Sequence, residues 1–172
     1  MAVKKAAKRV NAKRGSRGGT LKLAEALILR ADYQKRIEQL KARLLRNAKV
    51  QEGDKPAEDP NALLAELNQL SAQLEQTIKR INRTNSTTEL GRGRSIADAI
   101  AERDVLRIKH TALRELAQNA TVTQSRTTRS EVRFKSTVSV AAIQRQADDL
   151  AKAHRELDAL IQEANWKTNL AE

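Results

Sequence analysis

The sequence contains no cysteine, two prolines, six glycines and three aromatic residues, Tyr33, Phe134 and Trp166. The absence of cysteine excludes a disulfide framework, thiolate metal sites and thiol catalysis. With so few aromatics, the core has to be built from Leu, Ile, Val and Ala. No run of 18 apolar residues occurs, so no transmembrane helix is predicted. No apolar stretch follows the basic N-terminus in signal-peptide order, and a cytoplasmic location is the resulting expectation. A glycine-rich phosphate loop followed by Lys-Ser/Thr, a nucleophile elbow and a His-Glu-x-x-His pair are all missing. Gly91-Arg-Gly-Arg94 precedes a helix but lacks the phosphate-loop pattern. No reaction, and no cofactor, is legible in the chain.

What is present is unevenly distributed charge. The 172 residues hold 33 Lys and Arg against 21 Asp and Glu, a formal charge of +12. Lys4, Lys5, Lys8, Arg9, Lys13, Arg14 and Arg17 place +7 of this in residues 1–20, which contain no acid. With Gly15, Gly18 and Gly19 and almost no large apolar residue, this stretch cannot offset the entropy of ordering. It reads as a disordered basic tail, residues 1–20, ahead of a helical domain, residues 21–172. Its chemistry is counterion release from a polyphosphate, and no aromatic interleaves the cations to stack on bases. The tail is therefore expected to bind nucleic acid or another polyanion without sequence preference. Arg92, Arg94, Arg126, Arg129 and Arg133 make two later loops basic and are candidate accessory contacts.

Four amphipathic helices follow from spacing. The first is expected from a Thr20 cap to about Ala48, with Leu23, Ala26, Leu27, Ile37, Leu40 and Leu44 on one stripe. After a polar linker, Asp59 caps a second helix with Pro60 in its first turn. Its seam is Leu63, Leu67, Leu70, Leu74 and Ile81, and its end falls near Asn85. Ser95 caps the third helix, in which Ile96, Ala99, Arg103, Leu106, His110, Leu113, Ala117 and Ala120 keep strict three-four steps. The fourth runs from about Val140 to Ala164 on Val140, Ile143, Ala147, Leu150, His154, Leu157, Ile161 and Ala164. Between the last two, Glu131–Val138 alternates, with Val132, Phe134 and Val138 on one face. This suggests a short strand partnered by Thr87–Leu90 or Trp166–Leu170.

The halves resemble each other. Leu23-Ala-Glu-Ala-Leu27 matches Ile96-Ala-Asp-Ala-Ile100, Arg30 matches Arg103, Leu40 matches Leu113, and Ile78…Asn82 matches Ile161…Asn165. The expected fold is mainly α, an antiparallel four-helix bundle of two helical hairpins with a short β element near one end. Ala-rich second stripes admit close helix approach, so a homo-oligomer is expected. Arg30, Arg103, His110 and His154 interrupt the seams. The arginines require carboxylate partners, for which Glu66, Glu75, Asp148, Asp149, Glu156 and Asp158 are candidates. A metal site is not expected, because Arg107 and Ala151 occupy the positions where a Glu-x-x-His pair would need glutamate.

Several segments carry a resemblance: Leu21–Asp54, INRTN at 81–85, IADAIAERDVLRIKH at 96–110, SEVRFKSTV at 130–138 and RELDALIQEANW at 155–166. Over about residues 21–170 the chain resembles the septicolysin-like family of uncharacterised bacterial α-helical proteins. That resemblance transfers no activity and no catalytic residue. Its members begin near the equivalent of Leu21, which sets the tail apart. The primary functional reading is a non-enzymatic oligomeric scaffold with a polyanion-binding tail. Two alternatives stand beside it. One is a membrane-active, cytolysin-like protein, although the sequence argues against a membrane partner, having no apolar run long enough to span one. The other is a ligand- or metal-binding bundle around the polar seam residues.

Overall fold

A computed structural model of the chain describes residues 20–91, 93–122 and 134–172. These residues form four helices: α1 (Leu23–Arg46), α2 (Pro60–Thr87), α3 (Ile96–Ala120) and α4 (Val140–Lys167). The caps explain most of the boundaries. The Asp59 carboxylate accepts the Asn61 N–H ahead of Pro60. Ser95 and Asp98 form a reciprocal capping box at the start of α3, and the Ser139 hydroxyl accepts the Ala142 N–H at the start of α4. Thr20 is not the cap of α1. The helix begins after Lys22, whose backbone N–H donates to Glu25, because residues 21–23 are drawn into pairing with the end of the chain.

The helices pack as two antiparallel hairpins, α1 with α2 and α3 with α4, and the hairpins meet at one end. Leu23 and Ala26 of α1, Ile81 of α2, Ile96 of α3 and Leu170 beyond α4 form the shared core there, with Ala164 against it. Each hairpin also closes on itself. Leu40, Leu63 and Leu70 pack with Tyr33, Ile37, Leu44 and Leu67 in the first; in the second, Ala99, Leu157 and Ile161 pack with Leu90, Ile100 and Leu106 beside the joint itself. All four seams therefore turn inward, but over most of their length each is covered by one partner helix.

The joint is built from backbone pairing. The Leu23 N–H donates to Thr168 O (3.0 Å) and the Leu170 N–H to Leu21 O (2.7 Å). In the other half the Ile96 N–H donates to Thr88 O (3.0 Å) and the Leu90 N–H to Arg94 O (2.8 Å). A shift of 73 residues carries Leu21 and Leu23 onto Arg94 and Ile96, and a shift of 80 carries Thr88 and Leu90 onto Thr168 and Leu170. The two halves are thus a structural repeat about a pseudo-twofold axis, and α2 and α4 both have 28 residues. The repeat's register differs from the sequence expectation by about one turn. Ile161 and Asn165 correspond to Ile81 and Asn85, not to Ile78 and Asn82. With aliphatic residues at both 78 and 81, an amphipathic pattern fits either register until the backbone bonds decide between them.

Among the described residues the expected short β element is not formed. Residues 131–133 lie outside the described residues, 134–138 are not strand, and Phe134 is 70% exposed. A lone strand has no ladder to join. The segments foreseen as its partners spend their hydrogen bonds on residues 21–23 and 94–96, in isolated bridges between Lys22 and Asn169 and between Glu89 and Ser95.

The C-terminus is latched to α2. Thr84, 1% exposed, donates to Arg80 O and accepts the Ala171 N–H at 2.9 Å, while Arg80 donates to Ala171 O and Arg83 to Glu172 O. Thr84→Val leaves the Ala171 N–H without its acceptor. It is expected to lower stability by about 1–2 kcal/mol, read as a lower midpoint in thermal or urea unfolding. An unchanged midpoint would remove the latch from the account.

Candidate functional site

The tail cations Lys4, Lys5, Lys8, Arg9, Lys13, Arg14 and Arg17 lie outside the described residues, as do Arg92, Arg126, Arg129 and Arg133. Of the accessory basic candidates, Arg94 is described. It sits where Gly91 and Gly93, both at positive φ, turn the chain from α2 into α3. Its guanidinium bonds Glu102, about two turns into α3, and its Nε is buried without a hydrogen-bond partner. Leu90, Gly91, Arg94, Glu102, Leu106, Ala153, Glu156, Leu157 and Leu160 border an open cleft of about 520 Å³ beside it. The walls are aliphatic, and the polar rim carries one cation and two carboxylates.

The seam arginines differ although they are repeat-equivalent. Arg103 donates from Nη1 to Asp158 (3.1 Å) and from Nη2 to Asp104 (3.0 Å). Burial works against its charge, but bonds to Asp104 and Asp158 outweigh that and hold its pKa above the ordinary arginine value. Arg30 has neither partner, because Ala31 and Ile78 stand where Asp104 and Asp158 stand in the second half. Its Nε is buried without a hydrogen-bond partner. The second hairpin thus carries a polar lock, and the first replaces its acids with apolar side chains.

His110 and His154 are both half-buried, on α3 and α4. Among the described residues no group of three or more His, Asp or Glu is placed to hold a metal ion. His110 borders a cleft of about 430 Å³ with Arg114, Ala117, Gln118, Thr121, Gln144, Ala147 and Asp148. The repeat explains its opening: Ala117 and Ala147 occupy the positions that Leu44 and Leu67 fill in the first hairpin.

One ion-pair group was not foreseen. Arg43 near the end of α1 bonds Glu58 and approaches Glu66, while Glu58 N–H donates to Asn47 Oδ1, closing the α1–α2 linker. The signal was present in a basic last turn followed by an acid just before the Asp59 cap. The hydrogen bond from Arg43 holds the Glu58 carboxyl below the usual glutamate range, and Ser95 does the same for Asp98. Lys79 lowers Glu75 and Lys167 lowers Glu163. All four folded-state values are depressed. Their contributions are therefore present at neutral pH and shrink as pH falls through the ordinary carboxylate range near about 4. Each is small because the groups are exposed. The melting temperature is expected to sag between roughly pH 5 and pH 3, and a flat profile would contradict these pairings.

The model of a family of unknown function, DUF6847, matches residues 30–170. The chain belongs to that family. A solved structure, the crystal structure of a functionally unknown conserved protein from Corynebacterium diphtheriae, is 44% identical to the chain. It covers 89% of this chain and 100% of its own, with a TM-score of 0.81. No curated protein matches. The family replaces the septicolysin-like assignment. The segments that carried that resemblance fall largely within the matched region, and neither the family nor the neighbour has a septicolysin link. Among the described residues, no helix is long and apolar enough to cross a membrane, because every helix carries charge along its exposed face. The family match begins at residue 30, beyond the basic tail.

Proposed function

We propose that the protein is a non-enzymatic, oligomeric helical scaffold, its four helices acting as a bundle-type body. Its basic N-terminal tail holds nucleic acid or another polyanion without reading sequence. The observation that carries this reading is charge segregation. Residues 1–20 bring +7 with no acid, whereas five cations of the helical body have carboxylate partners: Arg43 with Glu58, Lys79 with Glu75, Arg94 with Glu102, Arg103 with Asp158 and Lys167 with Glu163. A cation paired within the protein has less to gain from a phosphate. Several tails on one scaffold would raise avidity without new contacts. Deleting residues 1–20 is expected to abolish retention of the protein on heparin at moderate salt. Retention that survives the deletion would reject the reading.

A further inference from the structure

The cleft beside His110 occupies ground that aliphatic side chains fill in the first hairpin. It lies between one face of α3 and one face of α4, in the half of the hairpin away from the joint, and holds about 430 Å³. That volume falls in the range of small-molecule sites. The shifts of 73 and 80 residues that relate the two halves put Ile37, Leu44, Leu45, Leu64 and Leu67 where His110, Ala117, Gln118, Gln144 and Ala147 border the cleft. Ile37, Leu44 and Leu67 pack against the buried leucines of the first hairpin.

Glutamine at two exposed positions is ordinary surface. Two buried alanines and a half-buried histidine at seam positions are not, because an aliphatic side chain at each would bury more apolar area and hold the helices together more strongly. The second hairpin forgoes that stability here, while Leu157 and Ile161 keep its seam closed nearer the joint. A cleft opened at a cost in stability, with polar groups converging on it, has the character of a binding site.

The charges choose the occupant. Arg114 stands on the α3 wall and Asp148 on the α4 wall. Among the described residues neither has an ion-pair partner, and the two stand too far apart to pair with each other. An anion alone would also face Asp148, and a cation alone would also face Arg114. A small molecule that carries both charges satisfies both walls. Gln118 and Gln144 add an amide to each wall, able to donate and to accept. The floor, Ala117 and Ala147, is apolar and suits a short carbon skeleton.

We propose that this cleft binds a free α-amino acid, its carboxylate on Arg114, its ammonium on Asp148 and its carbon skeleton over Ala117 and Ala147. The site lies wholly in the helical body, so it stands or falls separately from polyanion binding by residues 1–20.

The test titrates the full chain calorimetrically with each of the common L-amino acids at millimolar concentration. Saturable binding of at least one of them, at one site per chain, is expected. The N-acetylated and the amidated forms of that amino acid, each lacking one charge, are expected to bind at least about tenfold more weakly. Arg114→Gln and Asp148→Asn, both at exposed positions, are expected to weaken binding by a similar factor with the melting temperature unchanged, whereas the repeat-equivalent Lys41→Gln leaves binding intact. Ala147→Leu, which restores the leucine of the first hairpin, is expected to abolish binding and to raise the melting temperature. A panel in which no amino acid binds would overturn the proposal. So would binding that persists at full strength in Arg114→Gln, Asp148→Asn and Ala147→Leu.

Discussion

Leu157→Ala is expected to destabilise the protein by about 2–5 kcal/mol, and Leu160→Ala, one turn away, by less than about 1 kcal/mol. Leu157 is 5% exposed and packs with Ala99 and Ile161 where the second hairpin enters the joint, whereas Leu160 is 46% exposed. Removing the Leu157 side chain loses its transfer free energy and leaves a cavity that long helices pinned by backbone pairing can only partly close. Urea unfolding midpoints of the two variants, taken at a common slope, measure the difference. Equal losses at both positions would mean that the seam is not closed as described.

Raising salt from about 50 to 200 mM is expected to weaken binding to duplex DNA by roughly three orders of magnitude or more. Seven tail cations meeting seven phosphates give a log–log salt slope of about −6, and that loss should be the same for duplexes of different sequence. The reason is chemical. The tail has Lys and Arg without aromatics between them, so it can neutralise phosphates but has little with which to stack on bases. A strong preference for one duplex sequence, or a slope near zero, would show that groups other than the tail make the contact.

The helices were legible because their signals are local. Asp59 with Pro60, Ser95 and the three-four spacing of the seams mark elements that require no knowledge of the rest of the chain, and the two-hairpin pairing followed from the repeat. What failed depended on partners distant in sequence. Thr20 has the right chemistry for a cap, but residues 21–23 are claimed by 168–170. The alternation around Phe134 is a sound strand pattern, yet the edges it would need are already paired. Asp158 stood among six acids that could meet a seam arginine, and only the register of α4 on α3 selects it. Seam composition also cannot say whether one helix or three cover a stripe, which is why the end-to-end joint of the hairpins was not visible. The candidate polyanion site was legible as charge alone, since counterion release depends on how many cations are present and little on their arrangement.

The most direct measurement compares the salt dependence of DNA binding by the native chain and by a chain in which Lys4, Lys5, Lys8, Arg9, Lys13, Arg14 and Arg17 are all replaced by Gln. Length and the helical body stay the same, and only the tail's charge changes. The account predicts that the slope of about −6 collapses toward zero and that binding at moderate salt is lost. A slope and affinity that survive the replacement would contradict it.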